Sequence, residues 1–548
     1  MSSTNSEKSA QQGSPAQTPA VKQDNGVREE VQTISGSDAD EAELARMGYK
    51  QEFVREFTNL STISFAFSIM GVASSVATTF NTPFLLGGPA SVVWCWFLGT
   101  FMCFCLGTSI AEIVSAYPTN GGLYSASAYL VPRKYRSIVG WVVGWLNLLG
   151  QVAGVASTEF GLAQMIATAA NLGHPTWIAS AGETYGIFIA LLVIHGTLNS
   201  VGTKWLAKIT QSFVFINLGT VLAIIIALLV TCKEKHSASY VFTSTINGSG
   251  WSSEGLVFLL GLLSVQWTMT DYDATAHISE EVKKASIAAP VAIFVAVIGT
   301  GCVGWVYNIV YVLCSGDIAQ YDGAIYAPAA IIYNNVGAKG FYVLWTGVCL
   351  TAFLVVQTAL QANARTFHAF SRDHGLPDRG LFAKLAPNKI PIYGVWLVVF
   401  ISALMGLLNF ASYTAVAAIF SLCAIALDTS YVVPIACKLI YRDHPEVMFK
   451  AGPFTLGRGI LGWAVNLIAI FWTTFVVIVL ALPTIRPVDP LNMNYASVVA
   501  GGVLLLSLAW YFAGGRKHYH GPRNLVQEEQ DARLNAGGAE LDATGKAH

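Results

Sequence analysis

SVQWTMTDYDATAHISEEV, residues 264–282, decides the fold. It follows an apolar run, Leu256 to Leu263, that reads as the outer half of a membrane helix. A lipid-facing helix does not carry what comes next. Asp271 and Asp273 flank Tyr272, and the hydroxyls of Thr268, Thr270, Thr275 and Ser279 compete for backbone hydrogen bonds. A carboxylate at bilayer depth costs roughly 2.5–3.5 kcal/mol even on the mildest scale. Irregular backbone at that depth survives only where protein or water covers it. The stretch therefore reads as a broken helix lining a polar site. The competing reading is a short cytoplasmic loop after an ordinary helix. It leaves the apolar run before Asp271 too short to span a bilayer alone.

Composition supports a membrane setting. Of 548 residues, 54% are hydrophobic and 11% charged, against about 25% charged in soluble domains. The mean hydropathy is +0.53. Charges are absent between Glu56 and Glu112, Lys208 and Lys233, Lys284 and Asp317, and Lys389 and Asp428. Too few charges remain to cover a water-facing surface, so a polytopic membrane protein is expected. The net charge of −1 argues against a nucleic-acid partner. The nine cysteines show no C-x-x-C spacing. Cys232 and Cys314, near one membrane face, are the pair that could bridge.

Met1 to Glu43 reads as a disordered polar tail. Without an apolar core before Met47, no signal peptide is expected and the first span must direct insertion. Residues 1–56 are assigned to a polar, largely disordered cytoplasmic tail, 57–514 to the transmembrane domain and 515–548 to a second cytoplasmic polar tail. About twelve spans of roughly 20–25 residues follow from hydropathy. They are placed at 60–80, 88–112, 138–168, 185–202, 207–231, 255–279, 288–314, 341–371, 391–409, 412–437, 458–482 and 493–513. With the N-terminus inside, the cytoplasmic loops receive Arg133, Lys134 and Arg136, Lys283 and Lys284, and the cluster from Arg365 to Lys389. The outside receives only Lys233, Lys235, Lys339 and Arg486. The Lys and Arg bias thus places both termini in the cytoplasm.

The first span, NLSTISFAFSIMGVASSVATTF, has a weak centre at Met70-Gly71-Val72-Ala73-Ser74-Ser75. Gly71 either permits close helix packing or marks an unwound turn whose N–H groups face an anion. Its pairing with a break five spans later favours the second reading. Interrupted helices at corresponding positions of two halves mark a transporter site.

These features resemble the amino acid–polyamine–organocation permeases, and most closely the fungal branch of GABA and choline permeases. The likeness is carried by Glu112, Ser115, Pro118, Gly121, Gly122 and Tyr124, matching E-x-x-S-x-x-P-x-x-G-G-x-Y, and by Tyr272-Asp273-Ala274 with Glu280-Glu281. It is also carried by Ala364 to Phe367 with Ser371 to Pro377, by Gly452 to Arg458, and by Asn492 to Tyr495. The resemblance covers about residues 50–515.

It implies an all-α integral membrane fold of about twelve transmembrane helices: a 5+5 inverted repeat plus two C-terminal helices, with the first and sixth discontinuous. It implies a substrate site between those two, walled by the third, eighth and tenth, worked by alternating access. Carried over by position, Gly71, Val72, Ala73 and Ser74 offer backbone groups to a substrate carboxylate. Trp267 and Tyr272 form an aromatic wall, with Asp271 and Asp273 beside it. Two positions depart from the pattern. Asp271 stands where many relatives have glycine. The fifth span has Asn217 and Leu218 where many proton-coupled relatives have lysine, and Lys208 lies at its cytoplasmic start.

Glu159 and Asp428 are lone carboxylates in apolar runs and so candidates for substrate or proton handling. Each could equally pair with a neighbour for packing. His195 and His277 read as hydrogen-bonded structural residues, and Glu280, Glu281, Lys283 and Lys284 as a solvated cytoplasmic cluster that closes an inner gate. Asn247-Gly248-Ser249 is a glycosylation sequon in an outside loop. The chain shows no H-E-x-x-H and no nucleophile–base constellation, so no enzyme, metal site or cofactor is expected.

The expectation is a secondary transporter importing a small amino acid or amine, best matched by GABA or a related amino acid, with a proton as coupling ion. A choline, polyamine or thiamine permease, or a transporter-like nutrient receptor, is the alternative. The plasma membrane is the expected location, with a vacuolar or other internal membrane as the alternative. An N-terminal tag should resist protease added to intact cells, and Asn247 should be open to glycosylation; a tag cleaved from outside would invert every assignment above.

Overall fold

The computed structural model describes residues 36–522 except Ser412, Met448 and Leu491. Among the described residues, 11 helices are long and apolar enough to cross a membrane. In chain order they are Asn59–Thr79, Pro89–Ala116, Arg133–Gly173, Ala181–Asn199 and Thr203–Thr231, then Ala285–Leu313, Ala338–Arg372, Ile392–Phe410, Ala415–Tyr441, Ile460–Ala481 and Ala496–Ala513. Between the fifth of these and the next lies the shorter Glu254–Thr268. It is the sixth span, cut short by its own polar sequence, and the spans are numbered one to twelve with it included. No strand forms among the described residues; the only bridge pairs Phe57 with Val282.

Local chemistry sets the ends. The first span starts at a capping box in which Thr58 and Ser61 satisfy each other's backbone N–H groups. The fourth starts the same way: Ser180 Oγ accepts from Glu183 N at 3.2 Å, and Glu183 Oε2 accepts from Ser180 N at 2.8 Å. The second begins with Pro89 in the position where a missing N–H costs nothing.

The packing repeats itself. The first span lies on the seventh and the sixth on the second; the third lies on the tenth and the eighth on the fifth. Shifting each span number by five maps one set of contacts onto the other, the relation expected of an inverted repeat. Buried side chains concentrate in the first, third, eighth and tenth spans. The fifth, eleventh and twelfth present Leu222, Leu461 and Leu506 outward, as a lipid-facing perimeter does.

Two expectations change. The polar N-terminal tail is ordered from Gly36, where Gly36–Arg46 forms a helix, and Tyr49, Phe53 and Phe57 are buried. These apolar side chains give the segment surface to bury. The expectation for residues 1–35 falls outside the described residues. At the other end the body continues past 514: Tyr519 is buried, its ring 5.3 Å from Trp141 and 5.6 Å from Phe370. Cys232 and Cys314 are both free thiols.

The second and seventh spans approach closely at glycine. A Cβ on Gly304 would sit 2.2 Å from the Trp96 ring, whereas one on Gly501 in the twelfth span meets nothing within 4 Å. Gly304→Leu should therefore lose about 1–3 kcal/mol to overpacking and lower the thermal unfolding midpoint in detergent. Gly501→Leu should leave that midpoint unchanged.

Candidate substrate site at two helix breaks

The first span breaks at Gly71, whose φ of 44° lies in the left-handed region. Glycine suits that conformation, and here it also fits the space, because an added Cβ would lie 2.0 Å from Val355 of the eighth span. The break exposes backbone groups that lipid cannot satisfy. Protein does so instead. Gly71 O accepts from Ser74 N and Ser75 N at 3.0 and 2.9 Å, and Ser75 Oγ donates to Met70 O at 2.8 Å. Asn217 of the fifth span clamps both sides: its Oδ1 accepts from Ala73 N at 3.3 Å and its Nδ2 donates to Phe67 O at 3.5 Å.

The sixth span breaks after Thr268 and resumes as a short helix at Ala274–His277. Asp271 carries the turn with φ 61°, a strained value for any residue but glycine, asparagine or aspartate. Its N–H donates to Tyr431 Oη of the tenth span at 3.1 Å. The same hydroxyl donates to Asp273 Oδ1 at 2.6 Å. Asp273 Oδ2 accepts from Asn147 Nδ2 of the third span at 2.9 Å and lies 3.2 Å from His277 Nε2. Asn147 in turn accepts from Gln151, which accepts from Thr366 of the eighth span. Asp273 is thus the hub of a fully buried polar chain through four spans.

Between the breaks lies a cavity of about 20 Å³, room for about one water. Its walls come from the first span (Ile69, Ser75), third (Gly154, Thr158), sixth (Trp267, Thr270, Asp271), eighth (Val355, Ala359) and tenth (Cys423). Asp271 Oδ1 and Thr270 Oγ1 are buried there without a hydrogen-bond partner. Trp267 donates to Ser157 Oγ at 3.3 Å, and its ring packs on Phe420 at 5.0 Å. Beyond that aromatic pair a vestibule of about 520 Å³ opens on the face away from the basic loops, lined by Asn81, Leu263 and Ser421 among others.

The other expected site residues lie in different positions. Gly71, Val72, Ala73 and Ser74 are buried at the first break but do not line the cavity, and Tyr272 packs its ring 5.3 Å from Tyr431. Glu159 is paired with His195 Nδ1 at 2.9 Å, while His195 Nε2 lies 3.0 Å from Phe353 O. Asp428 accepts from Gln266 Nε2 at 2.9 and 3.1 Å. Asn247 is exposed, but its Nδ2 donates to Trp251 O at 2.6 Å and Ser249 is buried.

On the face of the basic loops, Glu280 and Glu281 are not solvated as expected. Both are fully buried, because arginines of the eighth span reach them: Glu281 accepts from Arg365 at 2.7 Å, and Glu280 from Arg372 at 3.1 and 3.2 Å. Lys283 and Lys284 are exposed. The N-terminal segment straps this cluster. Arg55 donates to Ser279 O and Val282 O at 3.0 and 2.5 Å, and Tyr49 Oη donates to Asp373 at 2.8 Å. Burial pushes the Glu52 carboxyl up, with Arg372 3.8 Å away pulling it down.

The sequence motifs meet here. Glu112 Oε2 accepts from Lys438 of the tenth span, and its Oε1 accepts from Thr455 Oγ1 and Leu456 N at 2.8 and 2.9 Å. Ser115 Oγ donates to Ser286 O at 2.7 Å and accepts from Phe454 N at 3.0 Å. Sequence reading missed Asn147, Gln151, Gln266 and Tyr431 as parts of the site. Their signal was an amide or hydroxyl within an apolar span.

A helical bundle of this kind, broken twice around a polar cavity, defines a multi-pass membrane transporter rather than an enzyme. Comparison with known proteins agrees, since the family described as "Amino acid permease" matches residues 57–505. The chain belongs to the amino acid permease family. It is 44% identical over 508 residues to an uncharacterised amino-acid permease of Schizosaccharomyces pombe, covering 90% of this chain and 92% of that one. It is 35% identical to amino-acid permease 2 of Neurospora crassa, covering 89% and 90%. It is 33% identical to the amino-acid permease BAT1 of Arabidopsis thaliana, covering 88% and 96%.

Removing the Tyr431 hydroxyl strips partners from both Asp271 N–H and Asp273. An unsatisfied buried group costs about 1–3 kcal/mol. Tyr431→Phe should therefore lower the unfolding midpoint, whereas Tyr393→Phe, on the exposed face of the ninth span, should not.

Proposed function

We propose that this permease imports a small amino acid, with GABA or a close relative as the best candidate, in symport with protons and by alternating access. One observation carries the substrate reading: Asp271 Oδ1 is buried, unpartnered and on the cavity wall. A substrate ammonium group would supply the missing donor. The first-span break would receive the carboxylate once Ala73 N–H leaves Asn217. A substrate with its two charges held apart satisfies both ends. Choline, a polyamine or thiamine would use Asp271 and the Trp267 ring and leave the first-span donors without a ligand.

Alternating access is supported by the contrast between the two faces, one strapped by buried ion pairs and the other opening into a vestibule. A cavity of about 20 Å³ must expand to admit an amino acid. Proton coupling is supported by two buried pairs, Glu159 with His195 and Asp273 with His277. In each, one ring nitrogen faces a backbone carbonyl and must donate to it, so the other shares a proton with the carboxylate.

The test is uptake by protein reconstituted in liposomes, across GABA, other amino acids, choline, polyamines and thiamine, with and without an imposed proton gradient. Asp271→Asn keeps a residue that tolerates the left-handed turn and removes only the charge. It should weaken uptake of the native substrate about tenfold or more, the value of a hydrogen bond to a charged group. Asp271→Gly, which also tolerates the left-handed turn, should shift preference toward substrates with less need of a cation partner. Unchanged affinity in both variants would remove Asp271 from the site. Binding without accumulation would identify a receptor. Gradient-independent accumulation would exclude proton coupling.

A further inference from the structure

Away from the central cavity, an apolar cleft of about 500 Å³ opens between the third, ninth and twelfth spans and the loop after the eighth. Its long walls are Trp145 to Val152 on the third span and Leu397 to Met405 on the ninth. At about 1.5 Å per residue it runs roughly 10–12 Å along the spans, the direction of a lipid tail. Trp145 lines the cleft with its ring, while its indole N–H is buried and has no acceptor. Asp378, the one acidic residue on the wall, is held by local hydrogen bonds, its oxygens accepting from Ser371 Oγ, Gly380 N and Phe382 N.

A second cleft, of about 790 Å³, shares Leu376 and Pro377 with the first. Its remaining lining includes Arg379, Lys517, His518 and Trp510. Arg379 and Lys517 are exposed, and no carboxylate lies within ion-pair distance of either among the described residues. Both lie on the face of the basic loops, at the level where the ninth span begins and the twelfth ends. A dry cleft along the spans therefore leads directly into a basic mouth at the membrane surface.

We propose that this composite cleft binds one anionic glycerophospholipid. An acyl chain lies between the third and ninth spans, and the phosphate and its acidic headgroup sit between Arg379 and Lys517. Basic pockets between membrane helices on the cytoplasmic side recognise such headgroups. Arg379 and Lys517, with no carboxylate at ion-pair distance among the described residues, favour an acidic headgroup over a zwitterionic one, and the apolar cleft favours a lipid over a free anion.

The test uses purified full-length protein, incubated with phosphatidylserine or phosphatidylcholine of matched chains and read by native mass spectrometry. Phosphatidylserine should be retained in preference. Arg379→Gln and Lys517→Gln should each cut that preference about fivefold. Ile401→Trp, which fills the apolar cleft, should reduce retention of both lipids without changing their ratio. Inorganic phosphate in excess should not displace the lipid. The two charge substitutions lie on the exposed surface, so they decide the headgroup claim even where Ile401→Trp disturbs folding. Equal retention of the two lipids, a preference unchanged in the double variant, or displacement by phosphate alone would overturn the proposal.

Discussion

The structure depends on how a membrane protein satisfies backbone that leaves the helix at bilayer depth. Lipid offers no hydrogen bonds, so every freed N–H and C=O needs a protein partner. At the first break the partner is Asn217, which accepts from Ala73 N and donates to Phe67 O. At the second it is Tyr431, which accepts from Asp271 N and donates to Asp273. Asn217 is on the fifth span and Tyr431 on the tenth, the positions that the repeat relates. Two different side chains thus solve one problem at equivalent places. Each is one side chain from a neighbouring span making two hydrogen bonds, so the broken helices are held without being welded.

The two faces are closed by different physics. On the basic-loop face, Glu280 and Glu281 meet Arg372 and Arg365 out of contact with water. Burying such pairs carries a desolvation penalty that only good geometry offsets. The opposite face is closed over the cavity by the Trp267 and Phe420 rings. Rings slide with little penalty, whereas the ion pairs have to be traded for water.

The family motifs are explained by contacts rather than by position. Glu112, Ser115 and the Gly452–Arg458 segment are far apart in the chain, yet Glu112 holds Lys438, Thr455 and Leu456. Gly452 packs against Ser115, where a Cβ would lie 2.2 Å from Ser115 O. These residues anchor the second span, the tenth and the loop before the eleventh to one another. They are structural fasteners at the cytoplasm-facing end expected from the charge bias, away from the cavity.

The sequence by itself determined the membrane class, the twelve spans and the two breaks. Those follow from local facts: apolar runs of spanning length, Gly71 in a small-residue turn, and Asp271 and Asp273 where a lipid-facing helix could not hold them. Hydropathy also bounded the spans to within a few residues, except the sixth, whose helix stops at Thr268 rather than 279, because a bilayer sets a least length for a helix that crosses it unbroken. It could not say which polar side chains meet. Asn217, Tyr431, Asn147 and Gln266 read as isolated polar residues until packing brought each beside a break or a carboxylate. The order near Gly36–Arg46 and Tyr519 was hidden for the same reason, since a polar segment shows no sign of the few apolar residues that dock it. Only the tertiary structure decided that Asp271, and not Asp273, lines the cavity and keeps an oxygen without a hydrogen-bond partner. Two residues of difference along a broken turn change which neighbours a side chain meets, and no periodic pattern survives there to report it.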